Sequence, residues 1–169
     1  MIANLLPLLG WIFGTFLASL GAVVTADAAA RFYLQLDRPR WAPPAWLFGP
    51  MWSLLYVLMA VAAYRVWRID GWGGAPLELG LYVVQLVLNA AWSWFFFVRR
   101  TGLGSTIEAA MLWAGVAATM VVFWQRDTLA GVLFVPYIAW VSVALALTIS
   151  VWRRNPSLLG GQQTGAARA

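Results

Sequence analysis

Five stretches of this chain lack a charged side chain: Met1–Ala26, Trp41–Tyr64, Leu79–Val98, Ala109–Gln125 and Thr128–Trp152, of 26, 24, 20, 17 and 25 residues. A helix needs about 20 apolar residues to cross the hydrocarbon core of a bilayer. Four stretches meet that length directly. The 17-residue stretch is extended by Leu103–Thr106 if Glu108 lies near the membrane boundary. What remains cannot cover a water-facing surface, because 63% of the 169 residues are apolar and 10% are charged, against about 25% charged in soluble domains. The expected fold is an all-α membrane protein, a five-transmembrane-helix bundle over residues 1–156. Residues 157–169, with Gly160, Gly161 and Gly165, are expected to be a disordered tail. The first stretch could instead be a signal peptide, with Ala26-Asp27-Ala28 as a cleavage-like site. No positive charge precedes it and it exceeds an ordinary signal core, so it is read as a helix.

Missing residue types narrow the chemistry. There is no Cys, no His and no Lys, and all 11 cations are Arg. That removes thiolate nucleophiles, imidazole bases, the usual zinc and haem ligands and Schiff-base lysines. No metal site and no required cofactor are expected. The net charge of +5 would suggest nucleic acid on a soluble chain. Here the Arg residues cap apolar stretches, so they are read as topology signals and lipid-headgroup contacts, with no nucleic-acid partner.

Counting them gives an orientation. Arg65, Arg68 and Arg126 fall on the N-terminal side. Arg31, Arg38, Arg40, Arg99, Arg100, Arg153, Arg154 and Arg168 fall on the other. The positive-inside rule then places the C-terminus and the first loop in the cytoplasm. That loop, Asp27 to Pro44, is the one long connection and the natural lid. Pro43 and Pro44 suit the start of the second span. Pro50 and Pro136 fall inside apolar stretches and are expected to kink them.

Small and aromatic residues recur at helical spacing. Gly10, Gly14, Ala18, Ala22, Ala26 and Ala30 form a small-residue ridge, read as packing within the bundle, with a homodimer contact as the alternative. Trp52, Tyr56, Ala60 and Tyr64 share one helix face, as do Gln85, Asn89 and Ser93, and Pro136, Trp140, Ala144 and Thr148. Such stripes serve either packing or the lining of a cavity. Of the 12 Trp, residues 46, 67, 72, 124 and 152 lie near stretch ends and suit interfacial anchoring. Trp52, Trp92, Trp94, Trp113 and Trp140 lie deeper and could wall a pocket for a planar apolar ligand. All six carboxylates lie at or near stretch ends, which argues against a proton-coupled pump.

Several motifs carry a resemblance. The loop reads Tyr33-Leu-Gln-Leu-Asp-Arg38-Pro39-Arg-Trp41-Ala-Pro43-Pro44 and the second span continues Trp52-Ser-Leu-Leu-Tyr56. The third contains Gln85-Leu-Val-Leu-Asn89-Ala-Ala-Trp92-Ser93-Trp94-Phe-Phe96. The fifth reads Pro136-Tyr137-Ile-Ala-Trp140 and ends Trp152-Arg-Arg-Asn155. From Gly10 to Asn155 the chain resembles the TspO/MBR family, the tryptophan-rich sensory and translocator proteins, in its bacterial form. The resemblance implies a five-helix bundle, often a dimer, in a bacterial cell membrane, with a ligand cavity under the first loop. It implies binding of porphyrins such as protoporphyrin IX, or other planar apolar molecules, and a sensory or regulatory role. The ligand-binding residues it implies are Tyr33, Trp41, Trp52, Tyr56, Asn89, Trp92, Tyr137, Trp140 and Ala144. Some members break down protoporphyrin in light, and Trp52 and Trp140 stand at the positions credited with that chemistry. Porphyrin or lipid transport is a third possibility. Arg31, Arg38 and Arg40 could pair with porphyrin propionates. One departure concerns sterols. The fifth span has Thr148-Ile149 where relatives carry Asn and an aromatic, so Ile149 cannot serve the animal sterol motif. The match Val61-x-x-Tyr64-x-x-x-Arg68 is a weak pattern.

Overall fold

The computed structural model describes residues 2–17 and 26–160. The apolar helices are α1 (Ile2–Leu17), α3 (Phe48–Gly74), α4 (Pro76–Ser93), α5 (Gly102–Arg126) and α6 (Thr128–Arg154). A short helix α2 (Ala26–Gln35) lies in the first loop, and α7 (Pro156–Leu159) follows α6. One 3-10 turn (Ala45–Leu47) leads into α3, and α4 continues as a π-helical segment, Trp94–Arg99. Four of the helices are long and apolar enough to cross a membrane, and α1 is a shorter apolar helix within the described residues. Together they form a five-helix membrane bundle.

Local chemistry sets the helix ends. Pro76 opens α4, where a missing N–H costs nothing. Asp127 caps α6, its carboxylate accepting from the Ala130 N–H at 2.9 Å. The π-helical segment ends at Arg100, whose φ of 53° is left-handed. Helices α5 and α6 approach closely at both ends. A Cβ on Gly131 would fall 2.6 Å from the Trp124 Cβ, and one on Gly102 would run into the Trp152 indole. Leu55, Met59, Leu79, Val116, Phe123 and Phe134 are fully buried at the centre. Yet only 28–33% of each span's most apolar window is inside. The remainder, including Leu54, Val87, Ile107 and Val132, faces outward. An apolar exterior of this kind is stable only against lipid, so the protein is an integral membrane protein.

The two ends of the bundle differ. At the end away from the first loop, Arg65 pairs with Asp127 at 2.7 Å. There Arg126 reaches Asp70 at 3.1 Å, Glu78 at 3.5 Å and the Gly74 carbonyl. The Arg65 guanidinium holds the Asp127 carboxyl below its ordinary range, helped by the Ala130 N–H against the cost of burial. At the opposite end lie the first loop, Arg99, Arg100, Arg153 and Arg154.

Several expectations change. The first half of the long loop is helical, because Ala28, Ala29 and Ala30 are strong helix formers. Pro50 lies in the first turn of α3, where it displaces no intrahelical bond. The break in α3 is instead at Gly71, with φ 65° and ψ −164°. Gly10 and Gly14 are exposed, and a Cβ at either would meet nothing within 4 Å among the described residues, since Trp11 and Thr15 are the residues that turn inward. Ala18 and Ala22 of the same ridge lie outside the described residues. Trp94 and Trp113 face outward, the latter donating to Ser142 Oγ at 2.8 Å. Of the residues assigned to the tail, Leu159 is buried and Gly160 bridges to Thr101, while Ser157 and Leu158 are exposed.

Candidate functional site

Beneath the first loop, α3, α4 and α6 bring their polar stripes together. Gln85 and Asn89 are one turn apart on α4, so both face the bundle axis. The Tyr56 hydroxyl donates to Asn89 Oδ1 at 2.7 Å, and Asn89 Nδ2 donates to the Tyr137 hydroxyl at 3.2 Å. Tyr137 in turn donates to Gln85 Oε1 at 2.9 Å, and Gln85 Nε2 lies 3.9 Å from the Met59 sulfur. All four polar residues are buried. In a membrane interior each of these groups requires a partner, and interhelical bonds of this kind contribute about 0.6–2 kcal/mol each.

Aromatic rings sit above this network. Trp52 stacks on Tyr56 with centroids 5.7 Å apart and meets Tyr137 edge-on at 6.2 Å. Trp140 is met edge-on by Phe48 at 5.5 Å, and Phe48 by Tyr33 at 5.2 Å. On the far wall Trp92 stacks on Phe96 at 5.6 Å, and Phe96 meets Phe32 at 6.3 Å. Phe96 belongs to the π-helical segment, a local geometry frequent at functional sites. Two buried donors here have no acceptor among the described residues: the indole N–H groups of Trp92 and Trp140.

The loop closes over the rings. Phe32 and Tyr33 are buried, and the Tyr33 hydroxyl donates to the Pro43 carbonyl at 2.8 Å. Burial pushes the Tyr33 phenol up, and the nearby Arg38 offsets part of that rise. Arg38 lies 4.7 Å from the Tyr33 ring centroid and Arg100 lies 4.4 Å from that of Phe32. Beyond them Asn155, buried at the end of α6, clasps the loop backbone. Its Oδ1 accepts from the Asp37 N–H at 2.8 Å, and its Nδ2 donates to the Asp37 carbonyl at 2.9 Å.

The structure therefore gathers Tyr33, Trp52, Tyr56, Asn89, Trp92, Tyr137 and Trp140 in one region, with Ala144 one turn beyond Trp140. Trp41 lies apart, 53% exposed on the loop. Arg31 and Arg40 are exposed, and Arg38 stands at the rim. Phe32 and Phe48 join the cluster without a signal in the sequence, and Phe96 only as the end of the third-span motif, because nothing in helical spacing tells which apolar ring meets which. Asn155 was visible only as the last residue of a motif. The side chains that converge are indoles, phenols and amides, suited to holding a flat apolar molecule by stacking and neutral hydrogen bonds.

Comparison with known proteins places the chain in a family. Residues 4–153 match the model of the TspO/MBR family. Protein CrtK of Rhodobacter capsulatus is 41% identical over 140 residues, 82% of this chain and 88% of that protein. The tryptophan-rich sensory protein of Cereibacter sphaeroides is 41% identical over 147 residues, 85% and 91% of the two chains. The human translocator protein is 38% identical over 135 residues, 79% and 80% of the two.

Proposed function

This chain belongs to the TspO/MBR family, and on that premise we propose that it is a tetrapyrrole-binding membrane sensor, taking protoporphyrin-like ligands under its first loop. The observation that carries this reading is the aromatic cluster that includes Trp52, Trp92 and Trp140, in which the indole N–H groups of Trp92 and Trp140 are buried without acceptors among the described residues. A porphyrin ring is flat and apolar and suits those faces. Its propionates would lie toward the rim, where Arg38 stands. Metal-free porphyrin suits the site better than coordinated haem, because the chain has no His and no Cys. Phe48 and Tyr33 fill the space over Trp140 in this closed arrangement, so a ligand enters by lifting the loop. The excess of Arg at the loop end sets that end in the cytoplasm.

The test is a titration of protoporphyrin IX into the purified protein in the dark, following Trp fluorescence. Saturable quenching, weakened about tenfold by Trp140→Ala, is expected, since a stacked aromatic contributes about 0.5–1.5 kcal/mol beyond its buried area. Quenching that never saturates would remove the reading. A second reading is light-driven breakdown of the bound porphyrin with dioxygen as oxidant. It is favoured by the packing of Trp52 on Tyr137, one turn from Trp140 on α6, since an indole can donate an electron to an excited ring. Under illumination, product formed by the wild type and lost in Trp52→Phe and Trp140→Phe, with dark binding retained, would establish it. Unchanged product would exclude those two residues.

A further inference from the structure

One buried acid has no place in the site just described. Glu108 lies six residues into α5, about 9 Å along the axis from Gly102. It is 6% exposed, and neither carboxyl oxygen has a hydrogen-bond partner. Among the described residues every ion pair is made by another carboxylate: Asp127, Asp70, Glu78 or Asp37. Ser105, one turn earlier on the same face, is fully buried, and its hydroxyl is also unpartnered.

Helix register shows what faces this pair. Gly115 packs on Gln85, a Cβ there falling 3.6 Å from the Gln85 Cβ, which aligns antiparallel α5 against α4. Seven residues back along α5 and seven forward along α4, two turns on each, Glu108 comes level with Trp92 on the same two faces. Trp92 carries one of the two indole N–H groups without an acceptor. On the other flank, the Trp113–Ser142 bond aligns α5 with α6. Five residues on, Glu108 is level with Leu147, beside Thr148. The Thr148 hydroxyl spends its proton on the Ala144 carbonyl at 2.8 Å, so it offers its neighbours only lone pairs.

Register thus puts Glu108 level with Trp92 on one flank and with the Leu147–Thr148 turn on the other, with Ser105 one turn away on its own helix and no ion-pair partner among the described residues. An isolated carboxyl in such surroundings is costly, and among the described residues none of the arginines pairs with it. The complement is a positively charged group with several N–H donors. We propose that Glu108, with Ser105 and Thr148, forms an ammonium-binding subsite, and that the protein takes lipophilic ligands joining a flat ring to a primary amine. This rests on the reading that the aromatic cluster receives flat ligands, and it adds the charge such a ligand carries.

The test compares two fluorescent probes in nanodiscs of zwitterionic lipid: dansylcadaverine, and the same molecule with a hydroxyl in place of its ammonium. Energy transfer from Trp to dansyl reports binding. Charge-assisted hydrogen bonds contribute about 1.5–3 kcal/mol, so the amine is expected to bind the wild type about tenfold tighter or more than the alcohol. In Glu108→Gln that ratio falls below about twofold, with helical circular dichroism unchanged. Glu108→Asp, which keeps the charge but withdraws it by one methylene, gives an intermediate ratio and serves if the Gln variant fails to fold. Equal affinities in the wild type, or a ratio that survives Glu108→Gln or is unmoved by Glu108→Asp, would overturn the proposal. A protoporphyrin IX titration of the same samples separates the two readings. Porphyrin binding without amine preference overturns the ammonium subsite alone. Amine preference without porphyrin binding supports the subsite and overturns the tetrapyrrole reading.

Discussion

Replacing Asn155 by Ala should release the first loop while leaving the bundle folded. Asn155 makes three side-chain hydrogen bonds, and two of them cross to the backbone of Asp37, 118 residues away in sequence. The third, to the Val151 carbonyl, stays within α6. At about 1 kcal/mol net per bond, the two crossing bonds contribute about 2 kcal/mol to loop closure. That corresponds to an open population about 30 times larger in the variant. Hydrogen exchange is the direct assay, because local opening governs amide protection. Amides between Leu36 and Ala42 should exchange about 30-fold faster, while those of the α5 and α6 cores should not change. Asp37→Ala is the decisive control. It removes only an exposed ion pair with Arg154, 3.7 Å long, and such pairs contribute little. Asn155 reads the backbone of residue 37, so this variant should keep the loop closed. Unchanged exchange in Asn155→Ala, or equal acceleration in Asp37→Ala, would refute the reasoning.

Three further outcomes follow from the geometry. Tyr137→Phe strands Asn89 Nδ2 and Gln85 Oε1 in the bundle interior, and unfolding in graded detergent should show a loss of about 1–3 kcal/mol. A loss below about 0.3 kcal/mol would mean that the network is not coupled to stability. Gly102→Ala drives a methyl into the Trp152 indole and should cost about 1–3 kcal/mol. The double variant with Trp152→Ala should recover part of that, as a double-mutant cycle would register. Asp127 is held below its unfolded value of about 3.9 by Arg65. Its contribution is therefore complete above that value and is lost as pH falls through the lower folded one. Thermal melts should decline below about pH 4 in the wild type and decline less in Asp127→Asn.

Much of this molecule is legible in its sequence because a bilayer permits few solutions. Uncharged stretches of membrane length become helices, and the proline-rich loop becomes a cover. The stripe of Gln85 and Asn89 shows that α4 carries its polar side chains on one face. It does not show that Tyr56 and Tyr137 answer them, because partners on other helices depend on rotation and register. Glu108 illustrates another limit. A charge ends an uncharged stretch by definition, so it reads as a boundary residue. The helix nevertheless begins at Gly102, and the acid is carried inside. The outward turn of Gly10 and Gly14 is equally hidden, since a small-residue ridge looks the same whichever way it faces. Asn155 was indistinct because its role is to reach a segment more than a hundred residues earlier in the chain.

The bonds joining Tyr56, Asn89, Tyr137 and Gln85 also have a direction. Asn89 accepts from Tyr56 and donates to Tyr137, which spends its one proton on Gln85. Turning the Asn89 amide over alone would claim that proton and leave the Tyr137 oxygen against Gln85 Oε1. The two amides are therefore set together. Three helices joined in this way behave as a gear train with one setting: α4 cannot rotate about its axis unless α3 and α6 disengage together. The floor of the site is thus a fixed reference against which the loop and its rings are positioned.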